Sequence, residues 1–108
     1  CVRVLLDEML PVGVAGLLPD HTVTSVKAAG YAGLKNGGLI LRATADRYDV
    51  LVTADRNMPA QQNIRASGIA IVLVPGNRLS DIQPRAAAIQ SAVMAARPGT
   101  VTRVGRPG

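Results

Sequence analysis

The sequence has no Phe, no Trp, two Tyr, one Cys and one His among its 108 residues. With so few rings, a core must be built from Val, Leu, Ile and Ala, and a hydrophobic content of 48% is enough to fill one. The single cysteine, Cys1, excludes an internal disulfide and a cysteine-rich zinc centre, and this usage fits a cytoplasmic setting. No apolar run approaches the ~20 residues of a membrane span, so no membrane association is expected. The start lacks the charged-then-apolar pattern of a signal peptide. The absence of an initiating Met reads as a trimmed or renumbered N-terminus. His21 follows Pro19-Asp20 in a polar turn and reads as a surface residue rather than a catalytic one. Acidic residues are also scarce: 7 against 12 Lys and Arg, for a net charge of +5. That balance favours an anionic partner, nucleic acid being the commonest, although free use of Arg on a solvated surface gives the same number. The basic residues are spread along the chain, so they form no localised tail.

Apolar strand-like runs alternate with helical patterns, which predicts βαβ units. The expected class is α/β, three-layer α/β/α, around a mostly parallel sheet of four to five strands. Strands are predicted at 2–6, 22–26, 49–53 and 69–74, with a short edge strand at 100–104. Helices are predicted near 9–18, 37–46 and 59–66. A last helix has Ser80 as its expected cap and Gln83 as the return half of a capping box. Its buried face is expected to carry Leu79, Ile82, Ala86, Ile89 and Val93, spaced three and four apart, with Pro98-Gly99 as the stop. The pattern reads as one domain over 1–104 and a flexible tail over 105–108, with no internal repeat.

Two strands end alike. Val2-Arg3-Val4-Leu5-Leu6 stops at Asp7-Glu8, and Tyr48-Asp49-Val50-Leu51-Val52-Thr53 stops at Ala54-Asp55-Arg56-Asn57. Ligands of parallel sheets bind outside the carboxyl ends of the strands. Asp7 and Asp55 are therefore the candidate catalytic pair. Neighbouring carboxylates repel unless a positive charge compensates, and Mg²⁺ or Mn²⁺ bound through oxygen ligands is the expected compensation. Helix capping is the competing role for each Asp taken alone. Glu8 reads equally as a supporting ligand or a first-turn helix charge. Asn57 and Asn36 read as helix caps or as neutral oxygen ligands. Lys35, Arg56 and Arg78 lie in loops near the same edge, where they would hold phosphate or remain solvated charge. Glycines 30, 33, 37 and 38 match neither a P-loop nor a dinucleotide fingerprint and read as turn glycines.

Leu5-Leu6-Asp7-Glu8, Gly30-Tyr31-Ala32-Gly33-Leu34-Lys35-Asn36-Gly37 and Asp49-Val50-Leu51-Val52-Thr53-Ala54-Asp55-Arg56-Asn57 resemble the small bacterial PIN-like proteins, relatives of the toxin ribonucleases of toxin–antitoxin pairs. The resemblance runs through Asn77-Arg78-Leu79. It implies a parallel-sheet nuclease fold, metal-dependent cleavage of RNA, and Asp7 and Asp55 as metal-site carboxylates. It also implies an antitoxin-like protein partner. One departure stands out: an acidic residue is expected in the helix before the Asp55 strand, and Gly38 occupies the position.

Three functions follow as expectations. The first is a metal-dependent endoribonuclease with RNA as its partner. The second is a degenerate PIN-like module that acts by binding an antitoxin-like protein or RNA. The third is a receiver-like phosphoacceptor domain, suggested by Asp55-Arg56-Asn57-Met58-Pro59 but opposed by the absence of any lysine beyond Lys35. A homodimer is compatible with a small sheet of this class, but no interface is legible in the pattern.

Overall fold

The computed structural model describes residues 2–7, 10, 12–31, 33, 36–54, 68–74, 76 and 78–104. Five short strands form one sheet: β1 (Arg3–Leu6), β2 (Thr22–Ser25), β3 (Val50–Thr53), β4 (Ala70–Leu73) and β5 (Val101–Arg103). They lie in the order β2-β1-β3-β4-β5, and every pairing is parallel. The expected α/β class with a parallel sheet is thus the observed one. A 3-10 helix (Val12–Leu17) joins β1 to β2, and α1 (Asn36–Ala45) lies between β2 and β3. After β4 come α2 (Leu79–Ile82), a 3-10 turn (Gln83–Arg85) and α3 (Ala86–Ala95). The helix expected near 59–66 and the tail at 105–108 lie outside the described residues. Among the described residues, no helix is long and apolar enough to cross a membrane.

Strand alternation splits the core into two layers. Val4, Leu6, Val50, Val52, Ala70 and Val72 pack with Leu10, Val14 and Leu18 beside the first 3-10 helix and with Ile82, Ile89 and Val93 of α2 and α3. Leu5, Leu51, Ile71 and Leu73 point the other way, onto Leu39, Ile40 and Ala43 of α1 and onto Tyr31 and Tyr48. β3 and β4 are buried at every residue, as continuous apolar runs covered on both faces must be. β2, at the edge, is only half-buried.

The β1–β2 and β4–β5 connections carry their helices on the same face. Gln90 of α3 donates its side-chain N–H to the Leu17 carbonyl at 2.7 Å. The two connections nevertheless advance in opposite directions along the sheet. They therefore have opposite hands, and one departs from the usual right-handed crossover. Burial of Ile82, Ile89 and Val93 over the Val4 and Val72 layer is what draws α2 and α3 back across the sheet.

The short helix expected after β1 is a 3-10 helix, because Gly13 and Gly16 and the valines around them are poor α-formers. Two local expectations are corrected. Ser80 does not cap the last helix: α2 begins at Leu79, Arg78 is its extended N-cap residue, and no side chain closes the cap. Leu79 sets that start by packing on the first 3-10 helix, where a Cβ at Gly13 would stand 3.0 Å from its Cδ2. Gln83 opens a 3-10 turn, because Pro84 has no N–H to continue the α-helical ladder. The buried face nevertheless follows the predicted spacing at Ile82, Ile89 and Val93. Gly30 and Gly33 have φ of 83° and 89°, the left-handed turn role read for them.

Candidate functional site

The order β2-β1-β3-β4-β5 places the topological switch point between β1 and β3. The chain leaves β1 toward one edge and returns to build toward the other, and in such sheets the crevice at the carboxyl ends of these strands receives ligands. Asp7 is the first residue beyond β1 at that point. Its N–H donates to the Val52 carbonyl at 2.9 Å, extending the β1–β3 ladder by one residue, and its carbonyl accepts the Leu10 N–H at 3.0 Å. The backbone of Asp7 is thus fixed on both sides.

The side chain is fixed as well. Leu6 pairs with Val52, so Asp7 stands opposite Thr53, the last residue of β3. The Thr53 hydroxyl donates to Asp7 Oδ2 at 2.6 Å. Asp7 is only 8% exposed and Thr53 fully buried. No partner of Oδ1 is found among the described residues. One carboxylate oxygen is therefore held by the fold at the carboxyl ends of β1 and β3.

The alternation that puts Leu5 and Leu73 on the α1 face puts Asp7 and Thr53 there too. The last turn of α1 lies at the opposite end of the sheet, because the Asp46 carbonyl just beyond α1 accepts from Arg3 Nη1 at 2.7 Å. α1 therefore begins at the Asp7 end. Asn36 is its first residue, and its first turn carries no acidic side chain. Gly38 lies exposed in that turn. Arg78 is exposed between β4 and α2, its carbonyl accepting the N–H of Asp81 at 2.9 Å. Glu8, Lys35, Asp55, Arg56 and Asn57 lie outside the described residues; Ala54, half-buried beyond Thr53, is the last described residue before Asp55. Among the described residues, no group of three or more His, Cys, Asp or Glu could hold a metal ion.

His21 precedes β2 at the far end of the sheet from Asp7, and its Nδ1 accepts the Val2 N–H at 3.2 Å. It joins two strand starts and is remote from the site.

Two features escaped the sequence reading. Thr53 is one: a hydroxyl at the last position of an apolar run was the available signal. The other lies at the amino end of the sheet, where both tyrosines meet edge to face, 6.2 Å apart and inclined at 84°. Arg3 lies 4.6 Å over Tyr48, and Arg42 lies 5.5 Å over Tyr31. The Tyr31 hydroxyl donates to Asp46, which also pairs with Arg42 at 3.4 Å. Asp49 accepts the Arg3 N–H at 2.9 Å. With this geometry established, comparison with known proteins adds no relative: the chain matches no protein-family model, no curated protein and no solved structure.

Proposed function

We propose that the protein is a metal-dependent endoribonuclease of the PIN-like type, serving as the toxin of a toxin–antitoxin pair. The observation that carries this reading is the Asp7–Thr53 arrangement: a nearly buried carboxylate at the switch point, one of its oxygens bound by a buried hydroxyl. Asp55, two residues beyond Thr53 in sequence, is the second carboxylate of this reading. Oxygen donors on neighbouring strand ends suit Mg²⁺ or Mn²⁺. The ion, when bound, supplies an activated water and neutralises charge on the phosphate. Asp7 and Asp55 hold it, Glu8, Asn36 and Asn57 support it, and Lys35, Arg56 and Arg78 position the RNA backbone.

One observation favours a second reading. The first turn of α1, Asn36-Gly37-Gly38, has no acid, so the donor set is one carboxylate short of what the resemblance implies. A degenerate module that binds an antitoxin-like protein or RNA would tolerate this. The strand order is shared with flavodoxin-like folds, receivers among them, so topology does not select among these functions. Against the receiver reading, β5 ends at Arg103, and no lysine stands directly after it.

The deciding experiment is cleavage of a mixed single-stranded RNA pool with Mg²⁺, Mn²⁺ or EDTA. Metal-dependent cleavage is expected. A folded protein that leaves the pool intact under all conditions rejects the nuclease reading in favour of the binding module.

A further inference from the structure

We infer that RNA is held along the carboxyl-terminal edge of the sheet by its sugar–phosphate backbone, with no base stacked on a protein ring, so that the site takes single-stranded RNA with little regard to sequence. This rests on the ribonuclease reading and specifies how its substrate is recognised.

The first argument is an inventory that covers the whole chain. The rings on which proteins stack unpaired bases are those of Phe, Tyr, Trp and His, the planar guanidinium of Arg being the other stacking surface. The sequence has no Phe or Trp, two Tyr and one His. Tyr31 is 3% and Tyr48 8% exposed, and each has a guanidinium over its ring. His21 is bound to the Val2 N–H at the other end of the sheet. No ring remains for a base at the Asp7 edge.

The second argument is the charge along that edge. Lys27 lies in the turn after β2, Arg78 follows β4, and Arg103 ends β5; all three are exposed. With the strand order, these cations flank the Asp7–Thr53 point on both sides. Four strand steps of ~4.8 Å separate β2 from β5, a row of roughly 19 Å, long enough for several phosphates. At the amino-terminal edge, Arg3 and Arg42 are taken up by Tyr48, Tyr31 and Asp46, and the exposed Arg47 and Arg97 share that edge with the exposed carboxylates of Asp20, Asp46 and Asp49.

The test is fluorescence anisotropy of labelled 12-mers of A, U and C with the Asp7→Asn protein, which removes cleavage, across a series of salt concentrations. Affinities for the three oligomers are expected to agree within about threefold. Lys27→Ala, Arg78→Ala and Arg103→Ala should each weaken all three equally, by about 3- to 10-fold, and lower the salt slope by about 0.7, while Arg97→Ala at the far edge leaves binding unchanged. More than about tenfold preference for one base, or no response to the three substitutions, overturns the inference even if the parent protein cuts RNA. Binding of the expected kind without metal-dependent cleavage by the parent leaves the inference standing and rejects the nuclease reading. No binding to any oligomer rejects both.

Discussion

The two ends of the sheet treat their carboxylates in opposite ways. At the amino end, Asp46 is bound by the Tyr31 hydroxyl and Arg42, and Asp49 by the Arg3 backbone. At the carboxyl end, Asp7 is nearly buried, and its side-chain partner among the described residues is the Thr53 hydroxyl. Both ends contain acids beside strand termini, so composition alone does not distinguish them. What differs is burial and the kind of partner: Asp46 and Asp49 are exposed and tied to phenolic, cationic or amide donors, whereas Asp7 is buried beside the Thr53 hydroxyl. An exposed carboxylate tied between segments makes an anchor; a buried carboxylate rigidly placed at the switch point makes a candidate ligand.

If that contrast is functional, substitutions at the two ends should separate activity from stability. The largest effect is expected for Asp7→Asn. Loss of a charge worth several kcal/mol at the reacting phosphate should lower kcat at least about 100-fold, since each ~1.4 kcal/mol is tenfold. Thermal stability should change little, because Asn still accepts from Thr53. A kcat within threefold of the parent would remove Asp7 from the site.

The mirror experiment is Tyr48→Ala. Tyr48 is buried, packs edge-on against Tyr31 and lies under Arg3. Truncation of a large buried ring costs about 3 kcal/mol, enough to lower the Tm by more than about 10 °C. Cleavage per folded molecule, measured well below that transition, should be unaltered. A selective loss of kcat with an unchanged Tm would mean that the amino end is no mere anchor.

Thr53→Val probes the hinge of the comparison. It keeps the volume and the β-branched shape while removing the donor 2.6 Å from Asp7 Oδ2. Leaving that oxygen against a methyl group costs about 1–2 kcal/mol, and the carboxylate is freed to rotate. Cleavage should fall about tenfold, and Thr53→Ser, which restores the hydroxyl, should recover most of it. Equal activities for the Val and Ser proteins would show that Thr53 fills space and positions nothing.

Much of this fold was legible because its signals are local. β3 and β4 read directly from continuous apolar runs, and Ile82, Ile89 and Val93 from helical spacing. The Ser80 cap was misread because packing of Leu79 against Gly13, 66 residues away, decides where α2 begins. The site was legible as far as Asp7, since a carboxylate directly after an apolar strand is conspicuous. Its partner was not, because Asp7 and Thr53 are joined by parallel register across 46 residues, and register depends on the whole sheet. The tyrosine–arginine cluster was hidden for the same reason: Arg3, Tyr31, Arg42 and Tyr48 come from four separate segments that only the finished fold assembles.

The smallest effect concerns the loop that carries Arg78 to the carboxyl edge. A Cβ on Gly76 would lie 2.6 Å from Asp81 Oδ2 and 3.1 Å from its Cβ and Cγ. Asp81 is exposed, so its side chain can swing away, and Gly76→Ala should cost only about 0.5–1 kcal/mol, the price of one off-rotamer adjustment. If the close approach is the whole reason for glycine, Asp81→Ala, which removes the carboxylate and leaves only the Cβ contact at 3.1 Å, should remove most of that cost in a double-mutant cycle. RNA binding should follow the stability result: the single variant shifts the loop and weakens the Arg78 contact less than twofold, and the double variant restores it. A cost that survives Asp81→Ala would place the constraint in the loop backbone, and the carboxyl end would then be more firmly built than its one-partner carboxylate implies.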